Sequence, residues 1–159
     1  MHAAWQSAVR SDVSERGAMR REVLWRDVKC AVFPYCNDGP LTEVKVLEGG
    51  KAVLPCDVSP SIADDDTILV LFYRGSFKTP IYSIDGRSGP VRRGQHWSDE
   101  KALGRRAYLE LTGRTPGLVI QAVRAMDQDL YRCRVDYDIH PTRNVRVQLN
   151  VIGASCLPH

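Results

Sequence analysis

From Glu43 to Ile152 the chain repeatedly alternates apolar and polar residues with a period of two, the pattern of strands that bury one face. Glu43-Val-Lys-Val-Leu47 reads as an edge strand, and Gly49-Gly50 then turns the chain. Ala52, Leu54, Cys56 and Val58 share the next buried face, while Pro55 points the other way, which suits a position near a sheet edge. Thr67–Arg74 sets Ile68, Val70 and Phe72 on the inner side and Leu69, Leu71 and Tyr73 on the outer side. Thr79–Ile84 is the following strand, and Asp85-Gly86 turns into a region rich in Gly, Arg and Ser. Arg105–Leu109 is predicted as a strand, and Leu118, Ile120 and Val123 mark another. Leu130–Asp136 points Tyr131, Cys133 and Val135 inward, and Asn144–Ile152 does the same with Val145, Val147, Leu149 and Val151. Short strands punctuated by turns predict an all-β domain of two facing antiparallel sheets.

Residues 1–40 keep no such period. Trp5, Val9, Val13, Leu24, Trp25 and Val28 are irregularly spaced among Arg16, Arg20, Arg21 and Arg26. We expect a poorly ordered extension there, with at most a short helix over 15–29. Asn37-Asp-Gly-Pro40 is a turn signal, so the domain is predicted to span 41–153, with 154–159 as a tail.

The most informative spacing lies in Asp127-Gln-Asp-Leu-Tyr-Arg-Cys133. Tyr131 and Cys133 fall on the same face of a strand because side chains alternate. Asp127 sits at the turn before them. V-type immunoglobulin sandwiches use this arrangement: the tyrosine hydroxyl turns back to the chain entering the strand, and the carboxylate pairs with an arginine. Arg106 is the best placed arginine. The fold also needs an upstream core cysteine, and Cys56 fits, so we expect a Cys56–Cys133 disulfide. Such domains usually carry tryptophan where this chain has Phe72.

The remaining chemistry adds little. Cys30, Cys36 and Cys156 make the cysteine count odd. Cys30 and Cys36 read as a local disulfide or two free thiols, because no second ligand pair completes a zinc site. Asp64-Asp-Asp66 reads as a solvated acidic loop, since a calcium site needs several spaced oxygen ligands. His96, Ser98 and Asp99 cannot form a relay, because neighbours in an extended segment point to opposite sides. Trp97 between them is expected to pack from a loop over the sheet edge. With four histidines and no phosphate loop or nucleophile elbow, the sequence argues against an enzyme, a cofactor, a bound metal or a small-molecule substrate. A net charge of +3 is too weak to argue for nucleic acid, and acids interrupt the basic N-terminal stretch. The sequence holds no run of about 20 apolar residues of the kind that spans a bilayer, and Met1–Arg10 lacks the apolar core of a secretory leader.

More particular strings carry a family resemblance. Phe72-Tyr-Arg74 before Thr79-Pro-Ile-Tyr-Ser83, His96-Trp-Ser-Asp99, and Tyr131-Arg-Cys-Arg-Val-Asp-Tyr137 with Pro141-Thr-Arg-Asn144 resemble the first immunoglobulin domain of the Sidestep family of invertebrate neuronal cell-surface proteins. The resemblance covers about 43–152. It implies axon guidance or cell adhesion through heterophilic binding to Beaten-path-type immunoglobulin receptors on another cell. It also implies an extracellular or cell-surface location as part of a longer membrane protein, whose leader and anchor lie outside this chain. A secreted immune-type or decoy immunoglobulin protein with a different ligand is the competing reading.

The alternation itself offers a partner-binding face. Opposite the core lie Leu69, Leu71 and Tyr73, then Arg132 and Arg134, then Arg146 and Gln148. An apolar-aromatic centre flanked by arginines is the composition enriched at protein interfaces.

Overall fold

The computed structural model describes residues 39–153. The expected helix over 15–29, the extension through Asp38, the 154–159 tail, and Cys30, Cys36 and Cys156 lie outside the described residues. Nine strands follow in order: β1 Leu41–Leu47, β2 Ala52–Pro55, β3 Thr67–Arg74, β4 Tyr82–Asp85, β5 Gln95–Ser98, β6 Ala107–Glu110, β7 Gly117–Ile120, β8 Asp129–Tyr137 and β9 Arg143–Ile152. They form a six-stranded sheet in the order β1-β9-β8-β3-β4-β5 and a three-stranded sheet in the order β2-β7-β6. All pairings are antiparallel except β1 with β9, which run parallel. The chain leaves β1 through Gly49, whose φ of +86° is a left-handed conformation open to glycine at little cost, and enters the second sheet at β2.

The inner faces of the two sheets meet as the alternation requires. Leu54, Val70, Phe72, Ile84, Leu118, Ile120, Tyr131, Val135 and Leu149 are fully buried. Cys56, just past the end of β2, is bonded to Cys133 on β8, so the disulfide joins the two sheets. Phe72 pairs in register with Cys133 and is 0% exposed, so the smaller aromatic still fills the space beside the disulfide. One residue pair shows why this sheet pairing is tight. Pro55 pairs with Gly117, where a side chain would put its Cβ 2.1 Å from the Leu54 carbonyl oxygen; only glycine permits that approach.

Below the core, the chain entering β8 is pinned from three directions. The Tyr131 hydroxyl donates to the Asp127 carbonyl at 2.6 Å. The Asp127 carboxylate accepts from Arg106 Nη1 at 2.7 Å and Nη2 at 3.0 Å, and from the Arg124 amide at 2.8 Å. Burial alone would raise the Asp127 pKa, but these donors outweigh it and hold the carboxyl below its ordinary value. Burial pushes the Tyr131 hydroxyl strongly the other way, so it stays a neutral donor.

Several local expectations change. The fourth strand begins at Tyr82 instead of Thr79, because Pro80 has no N–H to give to a ladder. Residues 104–106 form a one-turn 3-10 helix, and the strand expected from Arg105 begins at Ala107. A register shift between Thr67 and Leu69 leaves Ile68 half-buried, and Thr67 takes the buried place, its hydroxyl donating to Val58 O at 2.5 Å. Trp97 is not a loop residue folded over the sheet edge: it lies on β5, which adds a strand to the sheet there, and is 51% exposed. Asp65 is not solvated. It is 6% exposed and accepts from the amides of Asp66, Ile139 and His140 at 2.9, 2.9 and 3.0 Å, tying the loop before β3 to the loop after β8.

Candidate functional site

The outer face of the six-stranded sheet collects its side chains in rows across the strands, since residues in register point the same way. One row runs Tyr73 on β3, Arg132 on β8, Arg146 on β9 and Leu41 on β1. The next runs Trp97 on β5, Ser83 on β4, Leu71 on β3, Arg134 on β8 and Asn144 on β9. A third runs Gln95, Asp85, Leu69 and Asp136. Gln148 on β9 pairs with Leu130 and with Glu43 of β1, beyond the Tyr73 row. The seven residues expected from alternation therefore share one face, and Trp97 joins them. The signal for Trp97 was present but ambiguous, because a four-residue edge strand in a polar stretch gives alternation too few positions to register.

The groups on this face are not equally available. Arg132 lays its guanidinium over the Tyr73 ring at 4.6 Å from the centroid, and Tyr73 is only 8% exposed beneath it. Leu69 and Leu71 are half-buried between neighbouring strands, while Arg132 and Arg134 are exposed. Trp97 on β5 and Leu41 on β1 are the large apolar groups most exposed in these rows, at 51% and 53%.

Charge is distributed unevenly. Arg134 donates to Asp136 at 2.9 and 3.1 Å, and the Thr142 hydroxyl donates to the same carboxylate at 2.7 Å. Asp85 is held by the Arg87 guanidinium, whose hydrogen bonds depress its pKa to about 2. Both carboxylates at this end are therefore matched to arginines of their own strand or turn. The opposite end, around Tyr73, carries Arg132 and Arg146.

The loops next to the matched end are stapled. Arg143 donates to the Asp57 and Ser59 carbonyls at 3.2 Å and to the Ser61 hydroxyl at 2.6 Å, and its guanidinium lies 5.3 Å from the Tyr137 ring centroid. Tyr137 also packs edge-on against His140 at 5.6 Å. Asp65 completes the set. Its burial opposes ionisation, but the Ile139, His140 and Asp66 amides prevail and its pKa falls below the usual value. Among the described residues, no group of three or more His, Cys, Asp or Glu side chains is gathered as metal ligands. No helix there is long and apolar enough to cross a membrane.

No family model matches the sequence, and no curated protein matches it. Solved structures do. Murine CRIg aligns with a TM-score of 0.57 at 18% identity, covering 69% of this chain and 92% of that one. The first Ig-like domain of human CD48 antigen aligns with a TM-score of 0.57 at 20% identity, covering 76% and 89%. Murine CEACAM1b aligns with a TM-score of 0.52 at 17% identity, covering 69% and 50%. At such identities the likeness concerns the fold and nothing finer. Taken with the inter-sheet disulfide and the parallel β1–β9 pairing, it makes residues 41–152 a V-type immunoglobulin sandwich.

Proposed function

We propose that this chain is a protein-recognition domain whose six-stranded sheet binds a partner on another cell surface through its outer face. The observation that carries this reading is Trp97, half exposed, in one row with Leu71, the row next to that of the Arg132–Tyr73 pair. Interfaces are built around such groups: aromatic and arginine anchors in a patch that excludes water. A cross-sheet disulfide persists only in an oxidising setting, which favours an extracellular location.

For the partner, we infer a Beaten-path-type immunoglobulin receptor, in axon guidance or adhesion, from the resemblance to Sidestep. The His96-Trp-Ser-Asp99 string, which carries part of that resemblance, holds the β5 edge and the turn after it. His96 Nδ1 lies 2.7 Å from the Tyr82 hydroxyl, Ser98 Oγ donates to Gly104 O at 3.1 Å, and Asp99 accepts from the Lys101 amide at 2.9 Å. These contacts fix the strand that presents Trp97 outward.

The test is Trp97→Ser combined with Leu71→Ser, read by binding of multimerised domain to cells that display a Beaten-path-type ectodomain. Loss of an aromatic anchor costs about 2 kcal/mol or more, about 30-fold in affinity. Undiminished binding by the folded double variant would remove this face from consideration. Tyr73→Ala with Leu71→Ser, the substitution that alternation alone suggests, is a poorer probe: Tyr73 is buried under Arg132, so this variant also loses stability.

A further inference from the structure

Between the turn after β3 and strands β8 and β9 lies a cavity of about 240 Å³, lined by Phe77, Lys78, Leu130, Arg132 and Arg146 among others. We propose that it accepts an acidic side chain of the partner protein, with an apolar neighbour of that side chain resting on Phe77. The proposal rests on reading the outer sheet face as the recognition surface, and it names what one end of that face takes.

The chemistry of the lining points to an anion. Lys78 and Arg132 border the cavity, and none of its lining residues is acidic. Among the described residues, the nearest carboxylates are committed elsewhere or set apart. Asp129 is held by Arg74 Nε at 3.2 Å and accepts from the Leu130 amide at 2.8 Å. Glu43 lies beyond Gln148 in the register of β1 and β9. Asp85 and Asp136 belong to the far end of the face, each matched to its own arginine. The Tyr73 ring covers one flat side of the Arg132 guanidinium, and the N–H donors of that group lie in its plane, free to reach sideways.

Size and surroundings favour a protein side chain. Pockets for drug-sized ligands run from about 300 to 1,000 Å³, so this one suits a single side chain. Phe77 is 64% exposed at the rim, an apolar platform that a free inorganic anion would not use. The turn is well defined: the Gly75 amide donates to Leu130 O at 2.7 Å, and the Phe77 amide to Arg74 O at 3.2 Å. The site is therefore held in place before a partner arrives.

The probe is the blocked dipeptide acetyl-Leu-Glu-amide, titrated into isotope-labelled full chain and followed by amide NMR shifts. Saturable shifts at Gly75, Ser76, Phe77, Lys78 and Leu130 are expected, with acetyl-Leu-Gln-amide at least about tenfold weaker. Lys78→Ala and Arg132→Gln should each weaken the glutamyl dipeptide about tenfold. Phe77→Ser should weaken both dipeptides and leave the preference for Glu over Gln unchanged. No saturable shift, equal response to the two dipeptides, or shifts elsewhere on the sheet would overturn the proposal. So would a response to sialyllactose without one to the dipeptide, which would make the anion a glycan's. The sheet-face reading fails separately, through the Trp97 and Leu71 variant, and a null dipeptide result leaves it standing.

Discussion

Replacing Arg106 by Met removes both donors that reach Asp127 from the side and keeps most of the stem volume. Asp127 is 0% exposed and would retain one donor, the Arg124 amide at 2.8 Å. Breaking a buried pair by removing one member costs about 3–5 kcal/mol, because the remaining charge stays buried without its partner. That is a large share of a domain's total stability, so the variant should unfold at much lower denaturant with an unchanged slope. The pH dependence has opposite signs in the two proteins. In the wild type the folded Asp127 pKa is depressed below the unfolded value of about 3.9. Its contribution is therefore complete above the unfolded pKa and lost as pH falls through the folded one. In Arg106→Met burial is opposed only by the Arg124 amide and the more distant Arg74 charge, so the folded pKa rises and acid favours the folded variant by neutralising the carboxylate. The gap between the two proteins is then widest near neutral pH and narrows on acidification. Arg106→Met with Asp127→Asn should recover part of the loss. A loss under about 1 kcal/mol at neutral pH, or a gap independent of pH, would refute the picture of a charged carboxylate held by Arg106.

Two further outcomes follow from other contacts. Cys133→Ser opens a cross-link with a sequence separation of 77 and should cost about 4–5 kcal/mol in the chain-entropy model, seen as a lower denaturation midpoint; equal stability of reduced and oxidised protein would contradict it. Asp65→Ala should release the Ile139 and His140 amides, so their hydrogen exchange accelerates while that of the β3 and β8 core does not. In the wild type the same protection should fade as pH drops through the depressed Asp65 pKa, and protection that persists in acid would argue against a carboxylate clamp.

Alternation revealed most of the sandwich because its strands bury one face and expose the other. Val145, Val147, Leu149 and Val151 told the inner side of β9 without help from any neighbour. The disulfide was legible for a similar reason: Cys133 sits in phase with the buried residues of β8, and Cys56 continues the phase of Ala52 and Leu54 one residue past β2. Period two fails where a strand is short or irregular. The register shift before Leu69 moved Thr67 inward and Ile68 partly out, and nothing in Thr-Ile-Leu-Val announces it. Asp65 was hidden for another reason. Three consecutive aspartates look alike until the loop after β8 brings two amides to one of them. The candidate face was legible as a set of residues, but not as a surface. That Tyr73 is covered and Trp97 uncovered depends on pairings between distant strands.

These pairings also bear on where recognition can sit. The devices that hold the sandwich together, namely the disulfide, the Tyr131 corner and the Arg106–Asp127 pair, all act from the inner faces or the turn before β8. At the loop end, Asp65 and Arg143 stiffen the segments around β8 and β9 with hydrogen bonds already satisfied within the domain. A partner that docked on those loops would have to compete with bonds the domain makes to itself, at a cost comparable to the bonds gained. On the Trp97–Leu71–Tyr73 surface the strands are held by their ladders, and Arg132 is oriented by the Tyr73 ring. Binding there would remove water from apolar side chains and offer Arg132 a carboxylate. This asymmetry argues for recognition across the sheet, and for a partner that carries its acids where Arg132 and Lys78 stand.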